Sequence, residues 1–317
     1  MMVGVIGVAI AGVFVGLSST YAMLLACLTL MGLLSGGYHP SATPLISASV
    51  EPNQRGRALG FHLIGGNASF FLSPIIASAI ASAWNWRWSF IGLAIPTCIF
   101  GLIFYWHLHR QSAISRTAAG KPGLVDDKPP PPGNKRRISA FIIMTILSGG
   151  LGMSVISFLS LFAFDELGAS EQTAASSLSF IFFAGLWASP VGGYLSDRVG
   201  RVPILVITTI TSGVLVYSLQ FTSLGISFYA LLVLIGICNA FRMPVSEAFI
   251  MGETSASHRS TIYGFYYFAM QYTGAIFAPI LGQVIDKRGF DFCFTVAGLT
   301  SIAITVVCSF FLRGSQS

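Results

Sequence analysis

The sequence predicts an all-α integral membrane protein built from two helical bundles. Three observations carry that prediction: a composition poor in charge, a succession of apolar runs each long enough to cross a bilayer, and a weak internal repeat whose copies flank a hydrophilic linker. Hydrophobic residues make up 54% of the chain and charged residues 9%, and mean hydropathy is +0.77. About 20 apolar residues span ~30 Å of hydrocarbon as a helix. Ten such runs are present, so ten transmembrane helices are expected.

The runs lie near 1–19, 22–49, 58–83, 87–109, 138–164, 172–191, 202–221, 225–250, 260–285 and 290–312. The first is apolar from Met1 and lacks a basic segment, so it does not read as a signal peptide. The second carries Gly36-Gly37-Tyr38-His39-Pro40, a glycine-loosened and proline-bent stretch. Trp84, Trp86 and Trp88 precede or open the fourth run, where amphipathic indoles suit the outer interface. Residues 110–137 interrupt the pattern with Lys121, Pro122, Gly123, Lys128, the run Pro129 to Pro132, and Lys135-Arg136-Arg137. They read as a solvated tether between an N-terminal bundle at 1–109 and a C-terminal bundle at 138–317. Asp286-Lys287-Arg288-Gly289 reads as a turn between the last two runs.

Lys and Arg number 17, and placing the 193–201 loop in the cytoplasm puts 13 of them inside. Arg87, Lys287 and Arg288 fall outside, and Arg242 falls within a span. The net charge of +6 is then a topology signal that calls for anionic lipid and for no nucleic acid. The five cysteines lie in apolar spans without metal-ligand spacing, so no disulfide, metal or other cofactor is expected.

A shift of 204 residues superposes Gly32 on Gly236, Pro40 on Pro244, Arg55 on Arg259, Gly60 on Gly264 and Phe61 on Phe265. Proline falls at the same depth of a long span in both copies, followed by Arg-x-x-x-x-Gly-Phe at the same loop. The repeat is parallel, as in bundles related by an axis along the membrane normal.

Between two spans lies Gly193-Tyr-Leu-Ser-Asp197-Arg198-Val-Gly200-Arg201-Val-Pro-Ile-Leu205. This stretch resembles the loop signature of the major facilitator superfamily, G-x-L-a-D-R-x-G-r-k-x-x-l, departing from it at Val202. The resemblance implies a two-bundle fold, usually of twelve helices, and alternating access to a midplane site. It implies that Gly193, Asp197, Arg198, Gly200 and Arg201 form a cytoplasmic gating loop. In the family the Asp bonds a helix N-terminus and a basic residue, and Arg55 and Arg57 lie in the right region. By the same comparison the family's first two helices and their loop would precede residue 1. A late start or fragmentary gene and a genuine ten-helix protein are both open readings.

Ionisable residues inside a membrane are costly, which makes each a functional candidate. Arg242 lies ~16 Å along a helix from the cytoplasmic loop. It suits an anionic substrate or an acid within the bundle. Glu247, five residues on and ~140° round the helix, needs a partner elsewhere. His39 suits proton exchange if wetted, or else packing. Asn67 and Gln271 superpose under the repeat as amides at mid-depth, suited to a substrate cavity or to helix-to-helix hydrogen bonds. Tyr266, Tyr267 and Tyr272 add aromatic surface. The expected substrate-binding set is Arg242, His39, Glu247, Asn67, Gln271 and Tyr272.

The sequence offers no nucleophile, metal or acid-base set, so an enzyme is not expected. The expected function is secondary active transport of a small organic solute, an organic anion by preference, driven by a proton or ion gradient. A monomer in the plasma (inner) membrane is expected, with the linker and C-terminus cytoplasmic. Drug efflux is one alternative and a non-transporting scaffold or sensor is another. Drug-proton antiporters of the family tend to carry Gly-Pro-x-x-Gly-Gly in the fifth helix. Ser73-Pro74-Ile-Ile-Ala77 at the matching place weakens the efflux reading.

Overall fold

The computed structural model describes residues 2–118 and 133–312. Eleven α-helices and two short 3-10 turns follow one another: α1 Met2–Gly16, α2 Tyr21–Ser35, α3 Tyr38–Ala48, α4 Arg55–Ala83, α5 Trp86–Ala118, α6 Asn134–Asp165, α7 Glu171–Ser177, α8 Ser179–Val199, α9 Arg201–Ser218, α10 Ile226–Glu253 and α11 Arg259–Leu312. No strand occurs among the described residues. Among the described residues, eight helical stretches are long and apolar enough to cross a membrane. The first apolar run forms the shorter α1. The last two both lie on the 54-residue α11, divided at Gly289, where φ 78° and ψ 174° leave the helical region.

At Gly36-Gly37 a two-residue turn joins α2 to α3 within the single apolar stretch Tyr21–Ala48. Pro40 then falls in the first turn of α3, where its missing N–H removes no intrahelical bond. The linker is shorter than its polarity suggests. Residues 110–118 contain neither Gly nor Pro, and α5 continues through them, while α6 begins at Asn134. Lys121, Lys128 and Pro129–Pro132 lie outside the described residues.

The chain parts into two compact units, Met1–Leu45 with Leu72–Lys128 and Ile46–Phe71 with Pro129–Ser317. In the first unit α1 packs along α5 and α2. Arg87 closes one end by donating from Nη2 and Nε to the Ser18 carbonyl at 3.0 and 3.3 Å. Asn85 Oδ1 accepts from the Arg87 N–H at 2.9 Å and caps the start of α5. Trp84, Trp86 and Trp88 are all exposed.

The second unit has two apolar cores stacked along its helices. One gathers Leu159, Phe162, Phe228, Leu232 and Phe294. The other, nearer the 193–201 loop, gathers Phe141, Met144, Leu205, Phe249 and Tyr263. Residues 46–71 belong to this unit because α4 approaches α8 closely. A Cβ on Gly56 would lie 2.5 Å from the Gly193 carbonyl oxygen, and one on Gly60 would lie 2.6 Å from that of Ser189. Only glycine permits that approach, the small-residue contact by which helices associate in membranes.

Candidate functional site: a loop-end clasp and a buried polar seam

Both clusters lie in the second unit. The first forms where α8 ends. Gly200 separates α8 from α9 with φ 104°, a backbone conformation that favours glycine. This turn sets Asp197 against the start of α4. Its Oδ1 accepts from the Gly56 N–H at 3.0 Å and its Oδ2 from the Arg57 N–H at 2.9 Å. Both carboxylate oxygens therefore serve otherwise orphaned amides at a helix N-terminus, where the dipole also favours negative charge.

The side-chain donation to Asp197 expected from Arg55 or Arg57 is replaced by donation from the backbone of Gly56 and Arg57, while the two guanidinium groups turn elsewhere. Arg57 Nη2 reaches Gln54 Oε1 at 3.4 Å. Arg55 is buried and donates from Nε to the Ser47 carbonyl at 3.1 Å. The basic residue of the clasp is Arg201, which lies in the field of Asp197 and Glu253 and donates from Nη2 to the Pro52 carbonyl at 2.8 Å. Arg198 is exposed and lies over the Tyr194 ring at 4.6 Å.

Glu253, at the end of α10, extends this network. It pairs with Arg137 at 2.7 Å, and its carbonyl accepts from Asn134 Nδ2 at 3.1 Å. Arg259 is as buried as Arg55 and donates from Nε to the Met251 carbonyl at 3.1 Å. Ser47 superposes on Met251 under the 204-residue shift. Both repeat arginines thus bond the carbonyl eight residues earlier, so the repeat extends to individual hydrogen bonds.

The second cluster is a polar seam between α10 and α11. Arg242 is half-buried and donates from Nη2 to Asn239 Oδ1 at 2.8 Å. Glu247 is 2% exposed and accepts a short hydrogen bond from the hydroxyl of Tyr263, itself fully buried. Tyr266 lies in the fields of both Arg242 and Glu247, and Tyr267 in that of Glu247. The seam thus bonds the Glu247 carboxyl to the Tyr263 phenol and packs Tyr266 against Phe141, their ring centroids 5.5 Å apart.

The other candidates are dispersed. Asn67 donates from Nδ2 to the Gly185 carbonyl at 3.1 Å and to Ser189 Oγ at 3.0 Å, joining α4 to α8. Gln271 is exposed on α11, and so is Tyr272, whose ring centroid is 4.4 Å from that of Phe268. The two amides related by the repeat thus have different surroundings. His39 belongs to the first unit, half-buried and edge-on to Tyr38 at 5.3 Å. Tyr263, Asn239 and Glu253 join these clusters without having been singled out in the sequence. For Gly56 a signal was present: small residues recur every fourth position at 56 and 60, and at 185, 189 and 193.

A family model described as the Major Facilitator Superfamily matches residues 1–140 and 140–317. The Escherichia coli multidrug resistance protein MdtG is 26% identical over 308 residues, covering 92% of this chain and 71% of the relative. Among solved structures, the human organic anion transporter MFSD10 superposes with a TM-score of 0.75 at 16% identity, covering 98% of this chain and 76% of that one. The transporter FucP in its outward conformation superposes with a TM-score of 0.73 at 14% identity, covering 99% of this chain and 82% of that one. With matches over the whole described length and apolar helices throughout, the chain belongs to the Major Facilitator Superfamily, a family of multi-pass membrane transporters rather than enzymes.

Proposed function

We propose that this protein is a secondary active transporter of a small organic anion, working by alternating access and driven by a proton gradient. Arg242 carries the substrate preference: a half-buried cation at mid-helix whose polar contact is an uncharged amide, Asn239. An arginine fork suits a carboxylate bidentately, and in a low-dielectric site that pairing discriminates strongly by charge. Asp197 supplies the gate. Its hold on the first turn of α4 keeps the cytoplasmic ends of α4 and α8 together, and releasing it lets the site open to that side. The linker and the C-terminus face the cytoplasm, the membrane is the plasma (inner) membrane, and the protein acts as a monomer.

Flux of small carboxylates into proteoliposomes holding the full chain tests this reading. The Arg242→Ala protein should lose anion flux and Arg242→Lys should keep part of it. Undiminished flux in the alanine variant would overturn the anion preference. Drug efflux is favoured instead by the similarity to MdtG, which is named for multidrug resistance. Cationic drug flux that survives Arg242→Ala would support it.

A further inference from the structure

We infer that Asn239 sets the charge selectivity of the site: its side-chain carbonyl positions the Arg242 guanidinium, and its amide nitrogen joins that guanidinium in holding a carboxylate. The inference rests on the anion reading above and names the residue that completes it. Asn239 and Arg242 are neighbours on one face of α10, and a helical side chain leans toward the preceding turn. Arg242 reaches back in this way, its Nη2 donating to Asn239 Oδ1 at 2.8 Å. Chemistry fixes which end of the amide faces the guanidinium. Arginine offers donors alone, and an amide nitrogen turned toward it would set donor against donor.

The consequence lies at the other end of the amide. With Oδ1 committed, Nδ2 keeps two N–H donors and makes no hydrogen bond among the described residues. Both residues are half-buried, which leaves part of each open to a ligand. In the second unit Arg242 is, among the described residues, the one Lys or Arg more than a turn from a helix end or from the break at Gly289.

The pair therefore presents one fixed positive charge and donors only. Such a site takes a group that accepts without donating. A carboxylate fits, whereas the matching carboxamide brings its own donors and no charge. Aspartate has nearly the shape of asparagine, yet at position 239 it would reverse the selectivity. Its carboxylate would occupy the guanidinium and confront an incoming anion with a like charge. An amide holds Arg242 in place and leaves its charge free for the ligand.

Binding tests this without transport. Radiolabelled acetate, lactate and benzoate are offered to the full chain in lipid nanodiscs, each with its carboxamide as competitor. The native chain should prefer the carboxylate in at least one pair. Asn239→Ala should weaken that carboxylate about tenfold, the loss of one charge-assisted contact. Asn239→Asp should weaken it at least about a hundredfold. The aspartate variant should also melt no lower than the native chain, because Asp and Arg at this helical spacing attract. A lower melting temperature would contradict the pairing, and an alanine variant that binds as tightly as the native chain would overturn the positioning role. Carboxylate binding that Arg242→Ala abolishes and Asn239→Asp keeps would overturn the inference while leaving the anion reading standing. Binding that Arg242→Ala leaves intact, or no carboxylate binding by the native chain, would overturn the anion reading and this inference with it.

Discussion

At the residue scale the strongest features are hydrogen bonds from or to charged groups with few alternatives. Asp197 accepts two backbone amides at once, so Asp197→Ala should cost roughly 1–2 kcal/mol of clasp stability. Amide exchange at Gly56 and Arg57 should then quicken about tenfold, and hydrogen exchange by mass spectrometry checks it. Unchanged protection would mean that the bonds carry no weight in solution. Arg55 and Arg259 invite a paired test, since each donates from Nε to a carbonyl eight residues back. Lysine has no Nε branch, so Arg55→Lys and Arg259→Lys should each lower thermal stability, by roughly 1–2 kcal/mol. Similar losses at both positions would match the repeat. The sequence aligned these two arginines but left their work unread, because their acceptors are carbonyls, which a sequence does not mark.

At the scale of elements, the contact between α4 and α8 decides how residues 46–71 are placed. Gly56, Gly60 and Gly193 admit backbone against backbone, and Asn67 locks the far end of the contact to Gly185 and Ser189. A methyl at Gly56 would fall 2.5 Å from the Gly193 carbonyl oxygen and 2.8 Å from Asp197 Oδ1. Gly56→Ala should therefore spread the helices and release the clasp at a cost of roughly 1–3 kcal/mol. A cysteine introduced at Ser196, buried in the native protein, should become reactive to a membrane-impermeant thiol reagent in the alanine variant. Equal protection in both proteins would contradict this packing. The periodicity that reveals a helix cannot reveal its neighbour, which is why the loop signature was legible while its backbone partner was not. Residues 110–118 failed for the converse reason. Their polarity read as linker, yet nothing in them stops a helix that already runs from Trp86.

At the scale of the whole molecule, hydropathy and the loop signature together were sufficient for the family, because a bilayer leaves an apolar chain few solutions other than helices. Substrate was not legible in the same way. Arg242, Glu247 and Asn67 all looked alike as intramembrane polar groups, and only the structure separates the seam of Arg242, Tyr266 and Glu247 from the helix contact made by Asn67. The central claim is that Arg242 receives an organic anion. It is tested most directly by measuring flux of small carboxylates and of cationic drugs through proteoliposomes carrying the full chain or its Arg242→Ala variant. The account predicts carboxylate flux that falls at least about tenfold when the guanidinium is removed, the loss expected of a hydrogen-bonded charge pair. Carboxylate flux that survives the substitution, or flux confined to cationic drugs, would contradict it.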